Sequence, residues 1–161
     1  MNAFFKIKSI TINCLIMNIS EFTEFTVNVD FSSTMEDMIT LSNCKRVHPD
    51  ISLKRFPIPE GLMGKKMKVV AKLVPHNYSY EKLKKDGFCE AGVHILLAVA
   101  AKYPGLQKEF LIIANGIVGK FANGYDFTPY LRCVDDVPEV ELNPFTDGKS
   151  PYQHRLVFKF V

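Results

Sequence analysis

The chain has 161 residues, 47% of them hydrophobic and 23% charged, with a formal net charge of +3 at pH 7. That length suits one domain, residues 1–161, able to bury about two-thirds of the surface its unfolded chain exposes. The composition excludes a largely disordered or a collagen-like chain. Four cysteines, Cys14, Cys44, Cys89 and Cys133, are spread without a C-x-x-C pair, which excludes a dense disulfide framework and leaves them as reduced thiols.

Met1 to Phe5 carries no basic segment, and the apolar stretch up to Ile19 is broken by Lys6, Lys8, Ser9, Thr11 and Asn13. Neither a secretory signal nor a membrane-spanning helix is expected from it, and the cytoplasm is the default compartment. Phe5 to Ile19 is rich in Ile, Phe and Thr and reads as strand, with a turn or bulge near Asn13. Phe25, Val27, Val29 and Phe31 alternate with Thr26, Asn28 and Asp30, the period of a strand with one wet face. Ser32-Ser33-Thr34-Met35-Glu36-Asp37 then supplies an N-cap and first-turn acids for a short helix to Leu41.

Residues 42–64 hold Pro49, Pro57, Pro59, Gly61 and Gly64 and read as a long loop. Met67 to Val74 is strand-like up to Pro75. Asn77 or Ser79 caps a helix from Tyr80, and two consecutive helices, or one broken at Asp86-Gly87, fit the stretch to Pro104-Gly105, with the part over Ala91 to Tyr103 apolar nearly all round. Phe110 to Ala114, Ile117 to Ala122 and Tyr125 to Val134 are separated by Asn115-Gly116 and Asn123-Gly124, which predicts a three-stranded meander with two type I′ turns. The last strand, Tyr152 to Val161, puts His154, Leu156, Phe158 and Phe160 on one face, and so apolar a terminus must be docked. Together these elements define an α+β fold, an antiparallel sheet with a C-terminal β-meander packed against one or two helices.

No constellation carries recognisable chemistry. Cys44 with His48, and Cys89 with His94, have ligand-like spacings, but zinc wants four converging donors in close pairs and no second tight pair exists, so no metal is expected. Asp135, Asp136, Glu139 and Glu141 form an acidic cluster that Pro138 and Pro144 place in a loop or edge, read as a solvated face. Gly61-Leu62-Met63-Gly64-Lys65-Lys66 and Gly116-Ile117-Val118-Gly119-Lys120 contain GxxG before lysine, the pattern that clamps nucleic acid in KH modules, yet neither lies between helices. Neither fits a P-loop, so no nucleotide cofactor is expected.

Charge is more informative. Between Lys45 and Lys85 there are eleven Lys or Arg against three acids, whereas residues 21–37 carry five acids and no base. Such polarity steers an anionic partner, either an acidic protein surface or a phosphate backbone. Protein recognition is favoured, because the basic run lacks the interleaved aromatics of a single-strand platform. Lys65, Lys66 and Lys68 are the candidate partner-binding residues.

In its length, composition and motif-poor character the whole chain resembles the small T4-type bacteriophage inhibitors of the bacterial ATP-dependent Lon protease. Runs such as Glu90 to Ala100 and Asn115 to Gly124 describe a core helix and hairpins, and no functional residue follows from the resemblance. It implies a non-catalytic protein that binds the host protease in the host cytoplasm and suppresses its ATP-driven proteolysis. Two other readings stand beside it. One is a nucleic-acid-binding accessory protein using the basic 45–85 region; the other is a small hydrolase or transferase using His76, His94 or Asp126, which requires those groups to converge. An exposed strand edge would also allow a homodimer.

Overall fold

The computed structural model describes residues 23–117, 119–120, 124–144 and 153–161; the strand and turn expected over 5–19 lie outside them. In chain order the elements are β1 (Phe25–Asp30), α1 (Met35–Ser42), β2 (Arg46–Val47), β3 (Lys66–Pro75), α2 (Tyr80–Lys85), β4 (Cys89–Glu90), α3 (Val93–Lys102), α4 (Leu106–Glu109), β5 (Leu111–Ile113), β6 (Gly119–Lys120), β7 (Asp126–Val134), β8 (Val137–Pro144) and β9 (Gln153–Phe160). The strands form one mostly antiparallel sheet in the order β1-β3-β9-β5-β7-β8-β2, with β4 also on β9 and β6 also on β7. Helices and sheet together are consistent with the α+β class expected from the sequence. No helix among the described residues is long and apolar enough to cross a membrane.

Local chemistry accounts for the helices. Thr34 caps α1 by accepting from the Asp37 N–H at 3.1 Å, while the Asp37 carboxylate accepts from the Thr34 N–H at 3.4 Å, a reciprocal capping box. Ser79, of the two candidate caps, starts α2. That helix stops at Gly87, whose φ of +78° lets the Phe88 N–H return to the Leu83 carbonyl at 2.9 Å. The all-round apolar α3 is the core helix: it packs on β1 and β7 and carries α1 on another side, with Val93, Ile95, Leu96, Leu97, Val99 and Ala100 all buried. It ends before Pro104-Gly105, where Pro cannot extend the ladder.

Alternation divides the sheet into two faces. Phe25, Val27 and Val29 of β1, Val69, Ala71 and Leu73 of β3 and Leu156 of β9 point into the large core under α3. The opposite parity puts Val74 and Val157 in a smaller cluster with Leu83 and Phe88 under α2. Docking of the last strand is complete, for β9 lies inside the sheet, antiparallel to β3 through Val69↔Phe160 to Pro75↔His154 and parallel to β5 through Leu111↔Gln153 to Ile113↔Arg155.

The meander exists one strand later than the Asn-Gly dipeptides predict. β6, β7 and β8 are its strands, and the tight turn between β7 and β8 is Asp135-Asp136, with φ of +50° and +61°, a type I′ conformation that Asp tolerates. Asn115-Gly116 makes no hairpin. β5 and β6 run in the same direction along one edge of β7, Ile113 opposite Tyr130 and Gly119 opposite Phe127, so the segment between them is a bulge. Pro129 is the reason. Its carbonyl accepts from the Ala114 N–H at 3.0 Å, so its missing N–H belongs to this same edge, and the ladder breaks where no donor exists.

The bulge is pinned by Gly116. Its N–H donates to the Ala91 carbonyl at 2.8 Å, and a Cβ added there would sit 2.2 Å from the Glu90 carbonyl oxygen. Gly119 likewise faces the Phe127 ring, 2.4 Å from an added Cβ. The glycines of this GxxG run are therefore required by close packing and not by a nucleic-acid backbone. Gly116→Ala is expected to cost about 2–3 kcal/mol, lowering Tm by several degrees in a thermal melt, whereas Gly105→Ala, with nothing within 4 Å of its added Cβ, is expected to change stability by less than about 0.5 kcal/mol.

Candidate functional site

The three candidate lysines lie where β3 begins. Antiparallel pairing puts the end of β9 beside them: Val69 is opposite Phe160, and the Val161 N–H donates to the Lys68 carbonyl at 3.3 Å. The turn before β3, with Gly61 and Gly64 at positive φ, brings Met63 to the same end of the strand. Met63, Phe160 and Val161 are 76%, 44% and 66% exposed. Apolar side chains exposed at one end of a strand that also carries lysines have the composition of a recognition surface, apolar area with charge at its rim.

The lysines are not equivalent. Lys66 and Lys68 share the α2 side of the sheet with Lys72 by parity, and each faces β1. Lys66 reaches the Asp30 carboxylate at 3.1 Å, across the Asp30↔Lys66 register pair. Lys68 stands opposite Asn28. Lys65 lies in the turn, where its carbonyl accepts from the Phe31 N–H at 2.8 Å and leaves the side chain exposed. Among the described residues neither Lys65 nor Lys68 has a carboxylate partner, so these two are the available charges.

The same pairing brings parts of the two charge poles read from the sequence together. The acidic 21–37 segment contains β1 and the basic 45–85 segment contains β3, so the ladder sets part of one pole beside part of the other. Asp30 pairs with Lys66, and Glu24 lies 3.6 Å from Lys159 on β9. Lys72, buried beneath α2, directs its ammonium at the Phe88 ring 4.0 Å from the centroid, and Lys159 lies 4.4 Å from it. Both are cation–π contacts. Lys82, Lys84 and Lys85 of α2 remain exposed and extend the basic surface beyond Phe88.

Other residues singled out by spacing have structural roles. Glu139 is no solvated acid: it is 3% exposed, bonded to the Arg132 guanidinium across the β7–β8 ladder and 3.6 Å from Arg46 on β2. Its partner raises the Arg132 pKa further above the usual guanidinium value. Asp136 pairs with Lys108 at 2.9 Å. The His48 imidazole accepts from the Asp50 N–H at 3.1 Å, and burial pushes the Cys44 thiol pKa up. No group of three or more His, Cys, Asp or Glu among the described residues is placed to hold a metal ion.

The hydrolase residues lie in different settings. His76 follows the end of β3 with its N–H on the Gln153 carbonyl, Asp126 pairs with Lys120 at 3.0 Å, and His94 is buried in the first turn of α3. His94 lines both described cavities, His76 and Asp126 neither.

Sequence reasoning missed Arg155 and Glu90. The Arg155 guanidinium bonds the Glu90 carboxylate at 2.6 Å and the Tyr78 carbonyl, tying β9, β4 and the turn before α2 together. Burial raises the Glu90 pKa and the arginine only partly offsets it. These residues are 65 positions apart, and no local pattern links them. Family models, curated protein sequences and solved structures offer no match to this chain.

Asp30 provides a test of the local electrostatics. Its pKa is held down at about 2 from 3.8, first by the Ser32 hydroxyl and amide and then by Lys66. A depressed folded pKa means that the stabilisation is complete above 3.8 and is lost as pH falls through about 2. In an NMR titration of the side-chain carboxyls, Ser32→Ala is expected to raise the Asp30 midpoint more than Lys66→Ala does. The reverse order would make the ion pair, and not the serine, the dominant influence.

Proposed function

We propose that this chain is a non-catalytic protein-binding domain that docks the lysine-bearing end of its sheet on an acidic surface of a larger partner. The observation that carries the reading is the arrangement at that end: Lys65 and Lys68, free of carboxylate partners among the described residues, with exposed Met63 in the same turn as Lys65, exposed Val161 next to Lys68, and exposed Phe160 on the opposite face of the same sheet rim. The apolar side chains supply area to desolvate, and the charges steer and orient the encounter. A binding face at the rim of a sheet leaves the core under α3 undisturbed, so docking needs no refolding.

The particular partner follows from the family resemblance of the sequence: an ATP-dependent, Lon-type protease of a bacterial host, blocked by a phage-encoded inhibitor acting in the host cytoplasm. Inhibition of this kind requires no catalytic group on the inhibitor. It requires a stable contact that obstructs the ATP-driven cycle.

The experiment is a titration of the purified chain into a reconstituted bacterial Lon-type protease with ATP and a fluorescent protein substrate, alongside nuclease-treated affinity capture at two salt concentrations. Dose-dependent loss of proteolysis with stoichiometric capture is the expected result. Lys65→Glu/Lys68→Glu, which spares the Lys66–Asp30 pair, should weaken inhibition by about tenfold or more, equivalent to about 1.4 kcal/mol, with an unchanged melting temperature. Unchanged proteolysis at saturating chain would end the protease reading; wild-type inhibition by the double variant would remove these lysines from the interface. Retention that disappears with nuclease and falls steeply with salt would identify nucleic acid as the partner instead.

A further inference from the structure

A cavity of about 190 Å³ lies next to the turn that carries Met63 and Lys65, between the start of α3, the bulge after β5, the 57–62 loop and β9, where its lining Phe158 meets the Phe160 ring edge-on at 5.1 Å. Its walls are chiefly apolar: Phe31, Leu62, Ile95, Ile117 and Phe158. A dry apolar cavity of about 150 Å³ is large enough for a benzene-sized molecule, so this one holds a compact ligand and nothing drug-sized.

Two polar features enter these walls. The first is His94, 2% exposed, whose Nε2 is buried without a hydrogen-bond partner. Leaving such an atom unsatisfied is costly, so a partner from outside the chain, whether a water, an ion or a ligand, stabilises it. Burial alone lowers its pKa to about 4, so the imidazole is neutral at pH 7 and has one nitrogen to donate and one to accept. The second is the start of α3. Its N-cap is Gly92, which lines the cavity, no side chain caps the first turn, and that turn holds no acid. The first backbone N–H groups of this ten-residue helix therefore present the positive end of the dipole beside the same space.

Cys89 stands at the rim with an exposed thiol. Glu90 also borders the cavity, but strand parity and Arg155 hold its carboxylate on the opposite face of the sheet, so it adds no negative charge next to the helix start.

We propose that this cavity is a binding site for a small monocarboxylic acid with a compact apolar body, its carboxylate on the N-terminal amides of α3 and the His94 imidazole, its body against Phe31, Ile117 and Phe158. The apolar walls select the tail, and the helix start with His94 selects the charge. This site adjoins the proposed docking face through the Phe158–Phe160 ring contact, but its ligand chemistry does not rest on that reading.

Benzoate is the probe, with toluene and benzyl alcohol as uncharged controls of similar size. Titration of the full chain, followed by amide NMR, is expected to give saturable shifts centred on Val93 and His94 for benzoate and weaker or no shifts there for the controls. Bound benzoate should also slow alkylation of Cys89 by iodoacetamide several-fold, read by peptide mass spectrometry, without slowing that of Cys133. His94→Leu should reduce benzoate affinity about tenfold or more while leaving toluene binding unchanged, and Leu62→Phe, a loop substitution that fills the cavity, should abolish both should the His94 variant fail to fold. Equal binding of benzoate and toluene would overturn the acid assignment, and absence of any saturable shift at millimolar benzoate would overturn the site.

Discussion

The backbone ladder of the C-terminal strand holds the molecule together. β9 is the only strand among the described residues that joins the β1–β3 part of the sheet to the β5–β7–β8–β2 part, and it also carries β4 beside β5 on one of its edges. Its two parities serve two cores: Leu156 and Phe158 pack toward α3, while Val157 packs toward α2 with Phe88. A one-residue slip would exchange the faces and put Arg155 and Lys159 into the large core. The Arg155–Glu90 pair opposes such a slip, because the buried guanidinium has its carboxylate only in this register.

Much of the fold was legible where the information is local. The alternation of β1, the cap of α1, Ser79 before α2 and the all-round apolar α3 each rest on residues within a few positions of one another, and each is where the sequence puts it. The meander was shifted because Asn-Gly is a permissive signal: it tolerates a type I′ turn without requiring one. Pro129 decided the matter by removing a donor from the middle of β7, and Asp135-Asp136 took the turn. The parallel pairing of β5 with β9 had no local signature, since the partners lie some forty residues apart in sequence.

The site was less legible, for a related reason. Charge counted along a chain becomes charge on a surface only after the strands are paired, and antiparallel pairing here sets part of an acidic segment against part of a basic one. Asp30 meets Lys66 across that pairing, and Glu24 is met by Lys159 of β9. Lys65 and Lys68 escape such contacts by lying in a turn and opposite an asparagine. Cys89 and His94 were noticed for their spacing as metal ligands; the fold gives them a different setting, the rim and the wall of one cavity.

The side chains that stabilise the fold are thus mostly distinct from those proposed for docking. The apolar side chains that stabilise the chain lie under α3 and α2, with polar pairs such as Arg155–Glu90 and Arg132–Glu139 securing register at the strands they bridge. Lys65 and Lys68, without a carboxylate partner among the described residues, and the exposed apolar residues sit at one end of β3 and β9, where a side chain can change without leaving a cavity or an unpaired buried charge. A surface so arranged can be altered for a new partner at little cost to stability, whereas the cavity beside α3 cannot: its walls are core residues, and its polar atoms are already buried. Substitutions there act on folding and on ligand binding at once, so a specific ligand at that site would be coupled to stability in a way that docking at the lysine patch is not.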